Sequence, residues 1–265
     1  LFEGDVGTSF RIGMADACGN VRLLPTGPGA AGFAAPTPQG DAVFFVYSEP
    51  ERPDEVYHMA LDGTGTMEQL THLNQPMAAV RLSRAEAVTW QGKGGLTIEG
   101  LLYLPTGAAR KPYPLIVMPH GGPYGSSVAS YTGSAVPNIF TAAGYACLLP
   151  NFRGSTGRGR LFTRKIVRDW GDGPFTDIMT GVEALVRRKV ADPRRLAIFG
   201  GSYGGYMTAW AVGHTRRFRC AVAMAPVINN LSQYGTCDIP DFMLYSGGDR
   251  AVSFTDKFWY EQSPL

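Results

Sequence analysis

The residues best suited to do chemistry are Gly200-Gly201-Ser202-Tyr203-Gly204-Gly205. They lie between a short apolar run, RLAIFG, and the stretch YMTAWAVGHTRR, in which Met207, Trp210 and Ala211 recur at helical spacing. A G-x-S-x-G pattern is weak by itself and gains meaning from a strand before it and a helix after it. In so sharp a turn the serine must adopt strained backbone angles, and side chains two positions before and after it would collide. The turn would lift Ser202 Oγ above the sheet edge as a nucleophile. It would also aim the N–H of Tyr203, at the start of the helix, at an oxyanion. A phosphate-binding turn would call for GxGxxG or GxxxxGK[ST], and neither pattern is present.

A second element, His120-Gly121-Gly122-Pro123, follows the apolar run PLIVMP. In α/β-hydrolases an HGG-type turn after the third strand supplies the other oxyanion donor, and glycine lets the backbone approach the substrate carbonyl closely. Gly122 N–H is expected to be that donor. His120 precedes the serine, whereas the base of this fold follows it, so His120 is expected to hydrogen-bond within the turn.

Two regions must position these residues. Residues 1–76 read as all-β: SFRIGMA, NVRLL, AVFFVYS, EVYHMAL and MEQLT are separated by turn signals about every ten residues. From Pro38 to Thr71 the pattern resembles one β-propeller blade, which needs neighbours to bury both faces. Residues 77–90 form a connector. Beyond it a hairpin around Lys93-Gly94-Gly95 precedes the buried runs PLIVMP, YACLLP, RLAIFG and RCAVAMAP, with helical patterns between them. One is FTDIMTGVEALVRRKV, with Ile178, Val182, Leu185 and Val186 on one face. Strands alternating with helices predict an α/β class with a parallel sheet. The expected domains are a partial propeller over 1–76 and an α/β-hydrolase domain over 77–265, incomplete at its C-terminus.

Composition narrows the rest. The chain has 265 residues, 45% hydrophobic and 17% charged, with a formal net charge of +2. That charge gives no electrostatic case for nucleic acid or an anionic membrane as partner. No run of about 18 apolar residues predicts a membrane span. Cys18, Cys147, Cys220 and Cys237 show no C-x-x-C spacing and no nearby histidine, so no metal site is expected, nor any organic cofactor. Cys147 and Cys220, in apolar runs, are read as buried thiols. The N-terminus lacks an initiating Met and a signal-like stretch and reads as the interior of a longer polypeptide. The expected compartment is the cytoplasm.

HGGP, Asn151-Phe152-Arg153-Gly154-Ser155-Thr156-Gly157-Arg158-Gly159, Asp169-Trp170-Gly171 with Asp177, and Gly201-Ser202-Tyr203-Gly204-Gly205-Tyr206-Met207 together resemble the prolyl oligopeptidase family of serine peptidases. The Asn-x-Arg run, HGGP and Tyr234-Gly235-Thr236-Cys237-Asp238-Ile239 are most similar to its acylaminoacyl-peptidase-like branch. The resemblance covers roughly residues 35–265. It implies a propeller capping an α/β-hydrolase domain with the active site between them. It also implies cleavage of short peptides, releasing N-terminal residues or N-acylated amino acids. The dipeptidyl-peptidase type has Tyr where His120 stands, so a side-chain oxyanion donor is not expected here.

The triad of this fold runs Ser, Asp or Glu, His. After Ser202 the chain holds one histidine, His214, in the helix that leaves the elbow and facing away from the site. Asp249, in MLYSGGD, is read with Asp238, Asp241 and Asp256 as a loop residue. The acid and base are therefore expected beyond Leu265, and the fragment alone is expected to be inactive. Of the six basic residues between Arg153 and Arg168, most read as solvated, while Arg153 is placed to tie its loop to a carboxylate or carbonyl. Trp170 is read as a core anchor, and the Tyr203 ring as part of a substrate pocket. Expected partners are a short peptide substrate, the upstream propeller and downstream Asp/His segment of the same polypeptide, and, left open, further copies of the chain. Two rival functions stay open: an esterase or lipase on the same fold, and a catalytically inactive binding protein.

Overall fold

The computed structural model describes residues 1–248 and 257–265. Its N-terminal part is a seven-stranded sheet of β1 (Phe2–Val6), β2 (Ser9–Ala15), β3 (Val21–Leu23), β4 (Ala30–Pro36), β5 (Ala42–Glu49), β6 (Arg52–Ala60) and β7 (Met67–Gln69). The strands from β4 to β7 form an antiparallel meander, each paired with the next. Alternation along β5 sends Val43, Phe45 and Tyr47 into a core with Ile12 and Met59, while Phe44 stays exposed.

The second sheet holds β8 (Ala85–Gln91), β9 (Thr97–Tyr103), β10 (Tyr113–Val117), β11 (Ala146–Asn151), β12 (Ala191–Gly201) and β13 (Phe218–Met224), in the order β13-β12-β10-β11-β9-β8. The strands from β11 to β13 in that order are parallel, and β9 runs antiparallel to both its neighbours. Helix α1 (Tyr131–Ala142) covers one face through Phe140, over Leu101, Tyr103, Ile116, Cys147 and Leu149. Helices α3 (Asp172–Arg187) and α4 (Tyr203–His214) cover the other, α3 with Ile178, Val182 and Leu185, α4 with Met207, Trp210 and Ala211. A short α2 (Arg160–Thr163) lies between β11 and α3.

The connections out of β10 and β12 leave for opposite sides of the sheet, β10 through α1 to β11 and β12 through α4 to β13. The carboxyl ends of β10 and β12 thus form the topological switch point, the crevice where α/β sheets bind ligands. The His120–Pro123 turn and Ser202 follow those two strand ends. Helices α5 (Asn230–Thr236), α6 (Pro240–Ser246) and α7 (Lys257–Glu261) complete the described chain.

Three expectations are corrected. β13 is not buried on both faces: from Arg219 to Met224 every residue is exposed, because β12 is its one neighbour among the described residues. Cys220 is exposed for the same reason, whereas Cys147 is fully buried. Asp241 is not a loop residue but lies in the first turn of α6, which Pro240 opens. Asp238 does precede that helix, and Asp249 and Asp256 lie outside the described residues.

Candidate active site

Ser202 caps α4 with φ 57° and ψ −121°, a conformation a non-glycine residue takes only when its surroundings impose it. The constraint is visible in the neighbouring glycines. A Cβ on Gly200 would lie 2.4 Å from Gly204 O, one on Gly204 2.2 Å from Pro119 O, and one on Gly205 2.5 Å from Met224 O. Ser202 N–H donates to Met224 O at 3.0 Å, so the end of β13 holds the elbow from the far side. The result is an exposed serine side chain on a buried, rigid backbone. Among the described residues its Oγ has no hydrogen-bond partner.

Tyr203 and Gly122, the residues expected to supply oxyanion donors, line one cavity with Ser202. Helix α4 makes its first backbone bond from Tyr206 N–H to Ser202 O at 2.9 Å. The N–H groups of Tyr203, Gly204 and Gly205 therefore have no carbonyl within the helix, and the positive end of its dipole lies at Ser202. From the other side, a Cβ on Gly121 would stand 3.5 Å from Ser202 Cβ, so the glycine turn faces the serine directly. Gly122 has φ 119°, and a side chain there would press on Tyr124 N at 2.6 Å. The turn thus needs glycine for conformation as well as for approach.

Gly122, Ser202 and Tyr203 line a cavity of about 100 Å³ together with Trp170, Val227, Gln233, Ile239, Phe242 and Met243. Besides Ser202 and the Tyr203 hydroxyl, the polar side-chain groups of the wall are Gln233 and the indole N–H of Trp170, and the other side chains suit an apolar group. Trp170 is both the expected core anchor and a wall of this cavity: its ring packs edge-on against Tyr203, Tyr206, Phe242 and Trp259. Tyr203 is fixed by its hydroxyl donating to Trp170 O at 2.5 Å, and burial holds its phenol well above the ordinary value. The α5 and α6 lining was not readable from sequence, since it depends on how that excursion folds back over the elbow.

His120 binds within the turn, as expected. Its Nδ1 donates to Gly121 O at 2.7 Å, its Nε2 lies 2.8 Å from Ser155 Oγ, and its ring stacks on Phe152 with centroids 4.4 Å apart. Burial pushes its pKa down from the ordinary 6.5 to about 4. Between those values the unfolded chain binds a proton that the folded chain does not. Stability contributed here is therefore present above pH 6.5 and is lost as pH falls toward 4. Urea midpoints measured across this window should fall for the native chain and vary less for His120→Asn; equal slopes would refute the assignment.

The loop after β11 is anchored by a carboxylate. Asp177, fully buried on α3, accepts from Arg153 Nε and Nη2 at 2.8 Å each, from Arg153 N–H at 3.1 Å and from Lys93 N–H at 3.0 Å. Arg153 also reaches Lys93 O at 3.1 Å and stands 3.6 Å from Asp169. Asp177 thereby ties α3, the β8–β9 hairpin and the active-site loop together. Its signal in the sequence is a lone carboxylate within the apolar stripe of α3. The other basic residues of the loop are mostly exposed, although Arg158 pairs with Glu99 at 3.7 Å.

No histidine reaches Ser202 among the described residues. His214 closes α4, stacked on Trp210 at 4.2 Å and bonded to Trp210 O at 2.8 Å. His58 belongs to β6, and His72 follows β7. No group of three or more His, Cys, Asp or Glu able to hold a metal occurs among the described residues, and no helix there is long and apolar enough to cross a membrane.

Comparison with known proteins follows the same lines. Residues 131–261 match the prolyl oligopeptidase family. The chain is 35% identical over 223 residues to the uncharacterized peptidase YuxL of Bacillus subtilis (strain 168), spanning 82% of this chain and 33% of that protein. It is 34% identical over 155 residues to the acylamino-acid-releasing enzyme of Mus musculus, 58% of this chain and 21% of that enzyme. Its fold superposes on Pyrococcus horikoshii acylaminoacyl peptidase with a TM-score of 0.87 at 24% identity, over 100% of this chain and 41% of that one. The chain thus spans a third or less of the length of these two sequence relatives. With its serine elbow inside the matched segment and an α/β-hydrolase sheet beneath it, the chain carries a prolyl oligopeptidase family domain and is similar in sequence and fold to acylaminoacyl peptidases.

Proposed function

We propose that this chain carries the nucleophile and oxyanion donors of a serine peptidase that hydrolyses short peptides, releasing N-acylated amino acids or N-terminal residues. The observation that carries the reading is the exposed Ser202 Oγ between the first N–H groups of α4 and the Gly121–Gly122 turn, beside an apolar cavity. In the reaction Ser202 Oγ attacks the scissile carbonyl and gives up its proton to a base. The N–H groups of Tyr203 and Gly122 hold the oxyanion, the amine leaves with the proton, and water then hydrolyses the acyl-serine. Ser202 Oγ has no hydrogen-bond partner among the described residues, and the acid and base of the reaction are assigned to parts of the polypeptide other than these. The meander from β4 to β7 is one blade of a propeller that limits access to peptides of small size. The four free thiols accord with a cytoplasmic setting.

The test compares acyl-amino-acid p-nitroanilides with p-nitrophenyl esters on the full-length polypeptide. Anilide turnover is expected. Turnover of esters alone would replace the peptidase reading with an esterase, and reaction with neither would indicate a binding protein. Ile239, 56% exposed at the cavity rim, offers a check on the pocket. Ile239→Trp should lower kcat/KM about 10- to 100-fold for substrates with a large apolar residue before the scissile bond and change it little for alanyl substrates.

A further inference from the structure

We propose that the tip of the β1–β2 hairpin positions the oxyanion turn, and that Asp5 is a positioning residue for the reaction at Ser202, acting through Thr156. This rests on reading Ser202 as the nucleophile. Asp5 and Ser202 belong to different sheets and share no contact, but an unbroken series of close contacts joins them.

The Asp5 carboxylate accepts a hydrogen bond from Thr156 Oγ1. Beside it, Gly7 N–H donates to Gly157 O at 2.9 Å, and Ala129 N–H donates to Thr8 O at 2.7 Å. The hairpin tip therefore grips both loops that flank the glycine turn, the one after β10 and the one after β11. The grip depends on glycine. Gly157 has φ 85°, and a Cβ there would lie 3.0 Å from Gly7 O and 3.1 Å from Asp5 Cβ. The two loops are also bonded to each other. Thr156 N–H donates to Gly125 O at 2.9 Å, and Asn151 both accepts from Ser127 N–H at 2.7 Å and donates to Ser127 O at 3.1 Å.

The last links are packing contacts. A Cβ on Gly125 would stand 3.1 Å from Gly121 O and 3.6 Å from His120 Nδ1, and Gly121 in turn faces Ser202. Next to Thr156, Ser155 holds His120 Nε2 at 2.8 Å. A shift of Thr156 is thus passed to Gly121 and Gly122 through Gly125 and through His120. An oxyanion donor is effective only where it meets the developing charge, and displacements of about 1 Å can cost about 100-fold in rate. A charge-assisted bond from a carboxylate is stronger than a neutral one, which fits aspartate to the task of fixing the loop.

Kinetics of the full-length polypeptide on an acyl-amino-acid anilide test this. Thr156→Val keeps the side-chain shape and removes the donor. It should lower kcat about tenfold with KM within about twofold, and weaken binding of a peptide boronate, which mimics the tetrahedral intermediate, by a similar factor. Thr156→Ser should restore both. Asp5→Ala combined with Thr156→Val should cost no more than either alone. If Thr156→Val does not fold, Asp5→Asn reads the same quantities, with a kcat fall of about threefold expected. Unchanged kcat, additive losses, or equal losses of kcat and folded protein would each overturn the proposal. Wild-type protein without turnover would overturn the reading of Ser202 itself, and is thereby distinguishable.

Discussion

Ser202→Ala is expected to abolish acyl-enzyme formation and to lower peptide turnover by about 10⁴- to 10⁶-fold in the full-length polypeptide, with the fold intact. The magnitude follows from what remains. The oxyanion donors are backbone N–H groups of Tyr203 and Gly122 and survive the substitution, so a residual rate above that of water persists, while the attacking atom is gone. The intact fold follows from the elbow. The φ of 57° is imposed by Gly200 packing against Gly204, Gly204 against Pro119 and Gly205 against Met224, and alanine adopts it at about the same cost as serine. Melting temperature should therefore change little. Burst kinetics with an active-site titrant provide the measurement, and a variant that retains a tenth of wild-type turnover would show that another group is the nucleophile.

The largest effect on stability is expected at Asp177. Asp177→Ala should destabilise the fold by about 3–5 kcal/mol in urea unfolding, because it leaves the Arg153 guanidinium buried without its principal partner. Arg153 is 8% exposed, and its remaining contacts would be Asp169 at 3.6 Å and Lys93 O at 3.1 Å. The backbone N–H of Lys93 and that of Arg153 would also lose their acceptor. Replacing both partners, as in Arg153→Met with Asp177→Leu, should cost much less than the sum of the single changes, since no orphaned charge remains. A loss below about 1 kcal/mol for Asp177→Ala would mean that the bidentate pair is not what ties the hairpin, α3 and the loop together.

The site was legible in the sequence where chemistry constrains the backbone. Gly200, Gly204, Gly205 and Gly122 stand where a side chain would strike backbone, and such glycines survive as a pattern in the letters. The β-strands were legible where apolar residues alternate or run together, as in β5, β6, β10 and β12. β4 was not, because Ala30–Pro36 is mostly alanine and glycine with little intrinsic preference for a strand, and pairing with β5 overrides that. β1 was masked by Glu3, Gly4 and Asp5, of which Glu3 accepts from Ala34 N–H of β4 and Asp5 from Thr156.

What escaped the sequence is what depends on distant parts of the chain meeting. Much of the apolar wall of the cavity comes from Ile239 and from Phe242 and Met243 of α6, about 40 residues beyond the serine, and no local period marks it. The run MLYSGG has a strand-like composition, yet Met243–Ser246 closes α6 because Pro240 begins a helix there. The exposure of β13 is likewise a property of the sheet order and not of RCAVAMAP, which reads as a buried strand.

The most direct measurement of the central claim is covalent. The full-length polypeptide is reacted with a fluorophosphonate, its intact mass is recorded, and the adduct is mapped by peptide sequencing. A single adduct on Ser202, absent when the protein is first unfolded in urea, is expected. An unmodified folded protein, or an adduct on any other residue, would contradict the assignment of Ser202 as the nucleophile.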